Sequence, residues 1–177
     1  TQRIAPHCTV RMSTQLQRVA SSPGVAPPGL PRYAIQLANG THECFDAVIA
    51  TPAAYRVADL LQELDGSLAE ELRSIEYASS AIVVTGHRLA EVSHPLNSFG
   101  LVIPHQERRG ILAVSFSSRK FPNRAPEGRV LLRTFVGGAL QPEPFDLDDP
   151  ALIRLVRDEL QATLGVGGEP DFALIVR

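Results

Sequence analysis

The spacing of apolar and polar residues changes period along the chain. Residues 8–50 carry strand-length runs. "TVRMSTQLQRV" (Thr9–Val19) is β-like on both sides of Ser13-Thr14, and "RYAIQL" (Arg32–Leu37) alternates and ends at the hairpin signal Asn39-Gly40. "CFDAVIAT" (Cys44–Thr51) has the density of a buried strand. Between the first two runs, "SSPGVAPPGLP" (Ser21–Pro31) reads as a loop. The period then becomes helical. Pro52 suits a first turn, and Ala53, Val57, Leu60, Leu61 and Leu64 share a stripe that Asp65-Gly66 breaks. A second helix covers Ser67–Ile75, with Ser67 and Glu70 at capping-box spacing.

Residues 79–137 return to strands: "SAIVVTGHR", "FGLVIP", "GILAVSFSS" and "RVLLRTFVG". The short links between them predict an antiparallel meander. A last helix covers about 149–164, with Asp149 as N-cap, Pro150 at its first position and Gly165 as a left-handed C-cap. The pattern is α+β: helices packed on a largely antiparallel sheet. The run Leu101–Pro104 is peculiar because it has no polar side chain. A strand with one wet face alternates, so both faces of this one are expected to touch apolar material.

Composition narrows the function. The 177 residues are 44% hydrophobic and 20% charged, ordinary for a globular chain with a sizeable core. A net charge of −2 gives no electrostatic footprint for nucleic acid. No apolar run reaches the roughly 20 residues that span a bilayer. Cys8 and Cys44 form no CxxC and read as buried thiols or a reducing-compartment pair. Thr1 opens the chain without methionine and Arg177 follows a strand-like run, so the sequence reads as a piece of a longer protein.

No complete catalytic set emerges from residue chemistry. His7, His42, His87, His94 and His105 show no metal-ligand spacing, and there is no GxSxG elbow or GxxxxGK[ST] loop. "GVGGEP" (Gly165–Pro170) follows a helix, the wrong context for a dinucleotide site. Asp146, Asp148 and Asp149 are better explained by capping the last helix than by acid–base catalysis. What remains is a sheet with apolar surplus, in which Val102, Leu112 and Phe135 are either core or the wall of an apolar pocket; periodicity leaves both open.

The stretches "FDAVIATPA", "SIEYASSAIVV", "HPLNSFGLVIPHQE", "ILAVSFSSRKFPNRAPEG", "LLRTFVGGALQPE" and "VRDELQATLGVGGEP" run in this order over most of the chain. Together they resemble the middle of the protoporphyrinogen oxidases, flavoenzymes of haem synthesis within the flavin amine oxidase superfamily. "FSSRKFPNRAP" followed by "TFVGG" is specific; "ATPA" alone is shared by many flavin amine oxidases.

The resemblance implies a β-rich piece of an FAD-binding domain over residues 1–53 and a substrate-binding domain over 54–177. It implies an apolar wall for a tetrapyrrole substrate at Phe99, Gly100, Val102, Leu112 and Phe135. It places Leu16 beside the adenine of FAD and Ala50, Thr51 and Pro52 near the flavin. The implied reaction is the six-electron oxidation of protoporphyrinogen IX by dioxygen, in which the flavin carries the redox chemistry. The family's glycine-rich FAD fingerprint, its propionate-pairing arginine and its flavin-closing segment have no counterpart in these residues, so the chain by itself is expected to be inactive and not to retain FAD. The resemblance also allows a homodimer and a cytoplasmic location with peripheral membrane attachment. Coproporphyrinogen oxidation, another amine-oxidase-type reaction, and non-catalytic binding of an apolar ligand or tetrapyrrole are the alternatives.

Overall fold

A computed structural model describes residues 8–22 and 32–177. The loop read at Ser21–Pro31 lies outside the described residues from 23 onward; Ser21 and Ser22 continue the first strand. The chain divides into two compact units, residues 1–76 and 77–177.

The first unit contains a three-stranded antiparallel sheet, β1 (Leu16–Ser22), β2 (Arg32–Leu37) and β3 (His42–Phe45), in that order. The β2–β3 turn works as the Asn-Gly signal requires. Gly40 takes a φ of +83°, which a side chain disfavours, and Asn39 Oδ1 accepts the Thr41 N–H at 3.0 Å. Helices α1 (Ala54–Leu61) and α2 (Gly66–Arg73) pack on each other, and α1 packs on β1. Compactness therefore divides the chain after α2, beyond the functional division expected at 53/54. The cap of α2 is Asp65 rather than Ser67. Asp65 is the last extended residue, and its side chain accepts the Leu68 N–H at 3.0 Å.

Only Cys44 and Phe45 of the strand expected over Cys44–Thr51 pair with a neighbour, in β3. Residues 46–51 are not part of a strand, and Ile49 is 90% exposed. An apolar run becomes a strand only where another strand accepts its hydrogen bonds. Cys8 and Cys44 are exposed and not joined in a disulfide, which corrects the expectation of buried thiols; β3 is an edge strand and Cys44 lies on its open face.

The second unit is one antiparallel sheet with a helix on one face. Its strands are β4 (Ser80–Arg88), β5 (Gly100–Val102), β6 (Ala113–Phe116), β7 (Arg129–Gly137) and β8 (Phe172–Val176), in the spatial order β5-β6-β7-β4-β8. A four-residue helix, α3 (Ser117–Lys120), follows β6. The meander holds for β5–β6–β7, but β4 joins the far side of β7. Those two nine-residue strands pair over their full length, from Ser80↔Gly137 to Arg88↔Arg129. Residues 89–99 are long enough to carry the chain across to β5.

Helix α4 (Asp149–Leu164) covers one face with Leu152, Val156, Leu160 and Leu164, all buried against Val83, Val114, Phe116, Leu132 and Val136. Truncating one of these leucines to alanine would cost about 2–5 kcal/mol. Asp148, one residue before the predicted cap, accepts the Ala151 N–H at 2.7 Å. Pro150 then falls in the first turn, and Gly165 closes the helix in the left-handed conformation.

Candidate functional site

The sheet's second face defines the site. Alternation puts Ala81, Val83, Thr85 and His87 of β4 and Val130, Leu132, Thr134 and Val136 of β7 under α4, all buried. The intervening residues point the other way. Register then aligns one apolar residue from every strand: Val102↔Ala113, Ala113↔Phe135, Phe135↔Ile82 and Ile82↔Val176. With strands about 4.8 Å apart, this row runs about 19 Å. Val102 is 81% exposed and Val176 51%, so the row presents apolar surface rather than core. Only one face of the run without polar side chains meets apolar material among the described residues. Leu101 and Ile103 pack against the core, while Val102 faces outward and is exposed, against the expectation that both faces would be covered.

The next row along the strands is Gly100, Ser115, Arg133, Val84 and Leu174. Arg133 lies with its guanidinium carbon 5.6 Å from the Phe135 ring centroid. It forms no ion pair among the described residues. The other arginines of this face, Arg88 and Arg129, pair with Glu91 and Asp171. Phe172 covers Gly86 so closely that a β-carbon there would meet the ring at 2.5 Å.

The five residues expected to bind substrate separate in space. Val102 and Phe135 share the outward row. Gly100 occupies the next row on β5, where a β-carbon would lie 2.3 Å from the Val114 carbonyl oxygen. Phe99, 69% exposed, lines a shallow depression with Leu96, Asn97, Ser98 and Arg119. Leu112 precedes β6 at a bend and lines a small cavity with Ile103, Pro104, His105 and Leu140 at the end of the sheet. Gly137 and Gly138 have φ near +90° and turn the chain against Ser79, Phe145 and Leu112. They serve the chain's own packing and do not clear space for a ligand ring.

The four residues expected near the cofactor do come together. Leu16, Ala50, Thr51 and Pro52 line one apolar cleft of the first unit, with Val19, Tyr33, Val57, Leu60 and Leu64 also on its wall. Among the described residues, Tyr33 and Thr51 supply its polar side chains. Such a surface suits an aromatic ring. Among the described residues its wall carries no charged side chain and no glycine, so none of them is suited to hold a diphosphate.

His87 is buried on the core face, where both ring nitrogens lack a hydrogen-bond partner. Burial pushes its pKa down, against the opposing pull of Asp171 and Glu91. The hydroxyls of Thr85 and Thr134 on that face are equally unpartnered. No group of three or more His, Cys, Asp or Glu residues among those described could hold a metal. No helix among them is long and apolar enough to cross a membrane.

Sequence reasoning overlooked Arg133, Ile82, Val84 and the β8 residues. Arg133 was legible from its place two residues before Phe135 on the same strand face. The β8 contribution was not, because pairing with β4 is not written in local periodicity.

The second unit thus carries an outward apolar sheet face, and the first unit an apolar cleft. The family model described as flavin containing amine oxidoreductase matches residues 1–177, and the chain belongs to that family. It is 31% identical over 145 residues to coproporphyrinogen III oxidase of Bacillus subtilis (strain 168), covering 82% of this chain and 30% of that protein. It is 33% identical over 135 residues to the mitochondrial protoporphyrinogen oxidase of Nicotiana tabacum, covering 73% of this chain and 27% of that protein. Among solved structures, a provisionally named protoporphyrinogen oxidase from Exiguobacterium sp. 255-15 superposes with a TM-score of 0.63 at 23% identity, over 94% of this chain and 34% of that one. This last likeness supports the α+β fold. The chain thus spans about a third or less of the proteins it matches.

Proposed function

We propose that this chain forms the substrate-facing sheet and part of the flavin-contacting surface of an FAD-dependent oxidase that converts protoporphyrinogen IX to protoporphyrin IX with dioxygen. One observation carries the reading: the row Val102, Ala113, Phe135, Ile82 and Val176, a flat apolar surface crossing all five strands. A tetrapyrrole is flat and apolar at its centre with carboxylates at its edge, and the row beside Arg133 matches that division. When bound, the flavin supplies the hydride-accepting chemistry. Leu16, Ala50, Thr51 and Pro52 offer apolar packing to its ring systems. The residues on the sheet's outward face orient the macrocycle and keep water from it.

Coproporphyrinogen III is the second reading, since the relatives carry both names. It replaces the vinyl groups of the protoporphyrin series with a second pair of propionates. The described outward face offers one cation without an acidic partner, which favours the less charged substrate. The test uses the longer, flavin-loaded polypeptide that carries this chain. Each porphyrinogen is prepared anaerobically, and porphyrin fluorescence is followed after air is admitted. Faster oxidation of protoporphyrinogen IX is expected. Faster oxidation of coproporphyrinogen III would assign the alternative, and no oxidation of either would overturn the proposal.

A further inference from the structure

We infer that Arg133, with Ser115 beside it, is a carboxylate anchor that fixes the tetrapyrrole on the outward sheet face by one propionate. This deepens the reading above and rests on it. The arginine that the family resemblance assigns to a propionate has no counterpart in these residues, so Arg133 would be a separate anchor.

Three observations carry the inference. First, Arg133 is a cation in an apolar setting. Ile82, Val84 and Phe135 surround it on the same face, and its guanidinium stacks on Phe135. A partly desolvated guanidinium without a counter-ion is ready for a carboxylate, and its planar fork accepts one in bidentate geometry. Second, the other two arginines of the face are already neutralised, Arg129 by Asp171 and Arg88 by Glu91. They lie at the far end of the strands, away from the apolar row. Among the described residues of this face, Arg133 is thus the cation without an ion pair.

Third, the register places small residues beside it. Ser115 pairs directly with Arg133, and Gly100 pairs with Ser115. The serine hydroxyl is a second donor for the same carboxylate. Two residues along a strand advance about 6.8 Å. The Arg133 row therefore lies about one propionate arm from the apolar row that would carry the macrocycle. Binding would draw the guanidinium from the Phe135 ring to the carboxylate, exchanging a cation–π contact for charge-assisted hydrogen bonds.

The test compares protoporphyrin IX with its dimethyl ester, which keeps the flat ring and removes the carboxylate charge. Dissociation constants are measured by fluorescence on the 177-residue chain and its Arg133→Met and Arg133→Lys variants. The chain should bind the free acid about tenfold more tightly than the ester, a margin that shrinks with added salt. Arg133→Met should bring the acid to the ester's level and leave the ester unchanged, and Arg133→Lys should restore part of the gap. Equal loss of acid and ester, or loss of neither, would overturn the anchor while leaving the apolar face as the tetrapyrrole surface. Failure of the unaltered chain to bind either probe would overturn both.

Discussion

Phe135→Ala separates a pocket wall from ordinary core. Phe135 is half-buried, lies outside the core cluster, and is flanked across the sheet by Ala113 and Ile82. Truncating a fully buried phenylalanine costs about 3–5 kcal/mol. An outward-facing ring that keeps part of its exposure should cost about 1–2 kcal/mol, including roughly 0.5–1 kcal/mol for the Arg133 stack. Ligand binding should suffer more. Covering one face of the ring removes on the order of 60 Å² of apolar surface from water on each partner. At about 25 cal/mol per Å² this approaches 3 kcal/mol. With partial refilling by neighbours, the expected loss of tetrapyrrole affinity is about ten- to a hundredfold. Urea unfolding and porphyrin titration on one preparation give both quantities, and Phe135→Leu should fall between in each. A variant that loses more than about 3 kcal/mol of stability while its folded fraction binds normally would return Phe135 to the core.

The purified 177-residue chain should be colourless, because the described residues of its apolar cleft include no glycine or cation to hold a diphosphate; flavin absorbance near one equivalent would refute this. Gly100→Ala should destabilise by about 2 kcal/mol or more, since its β-carbon would meet the Val114 carbonyl, a backbone atom that cannot swing aside; an unchanged urea midpoint would show that β5 shifts freely. His87 is held neutral by burial, so its folded pKa lies below the unfolded value of about 6.5. Its contribution is full above that value and falls away as pH drops from there through the lower folded pKa, because the unfolded chain binds the proton first. His87→Leu, which also removes two unpartnered nitrogens, should flatten this slope between about pH 7 and 5 in urea titrations; an unaltered slope would place the titration elsewhere.

Strands and helices were legible where local pattern and partner agree. β2, β4, β7 and α4 match their predicted bounds, because alternation or a helical stripe coincides with a face that is buried. The failures have one physical source. Cys44–Thr51 carries strand composition, but residues 46–51 join no strand ladder among the described residues. β4 was placed beside β5 because short links favour neighbours, whereas the longest ladder available to it is with β7. The caps fell one or two residues from their expected places because Asp65 and Asp148, the last extended residues before each helix, reach the free N–H groups first.

The outward face was the part of the site that sequence could announce without locating. An apolar residue on the solvent side of a strand breaks alternation, and a single break means little. Here the breaks at Val102, Ile82 and Phe135 lie far apart in sequence, and only the antiparallel register shows that they form one row. The same register brings Val176 to one end of that row and sets Ser115 beside Arg133. A row of this kind is costly as free surface, since apolar area left in water forgoes about 25 cal/mol per Å² of burial. Isolated exposed residues are tolerated, but an aligned apolar row with exposed ends at Val102 and Val176 and Arg133 beside it defines a shape and a charge. Under the proposed reading, that combination, rather than any catalytic triad, is what a flavin-driven oxidation would ask of this sheet: a surface to hold a flat ring at a fixed height and a charge to fix its rotation.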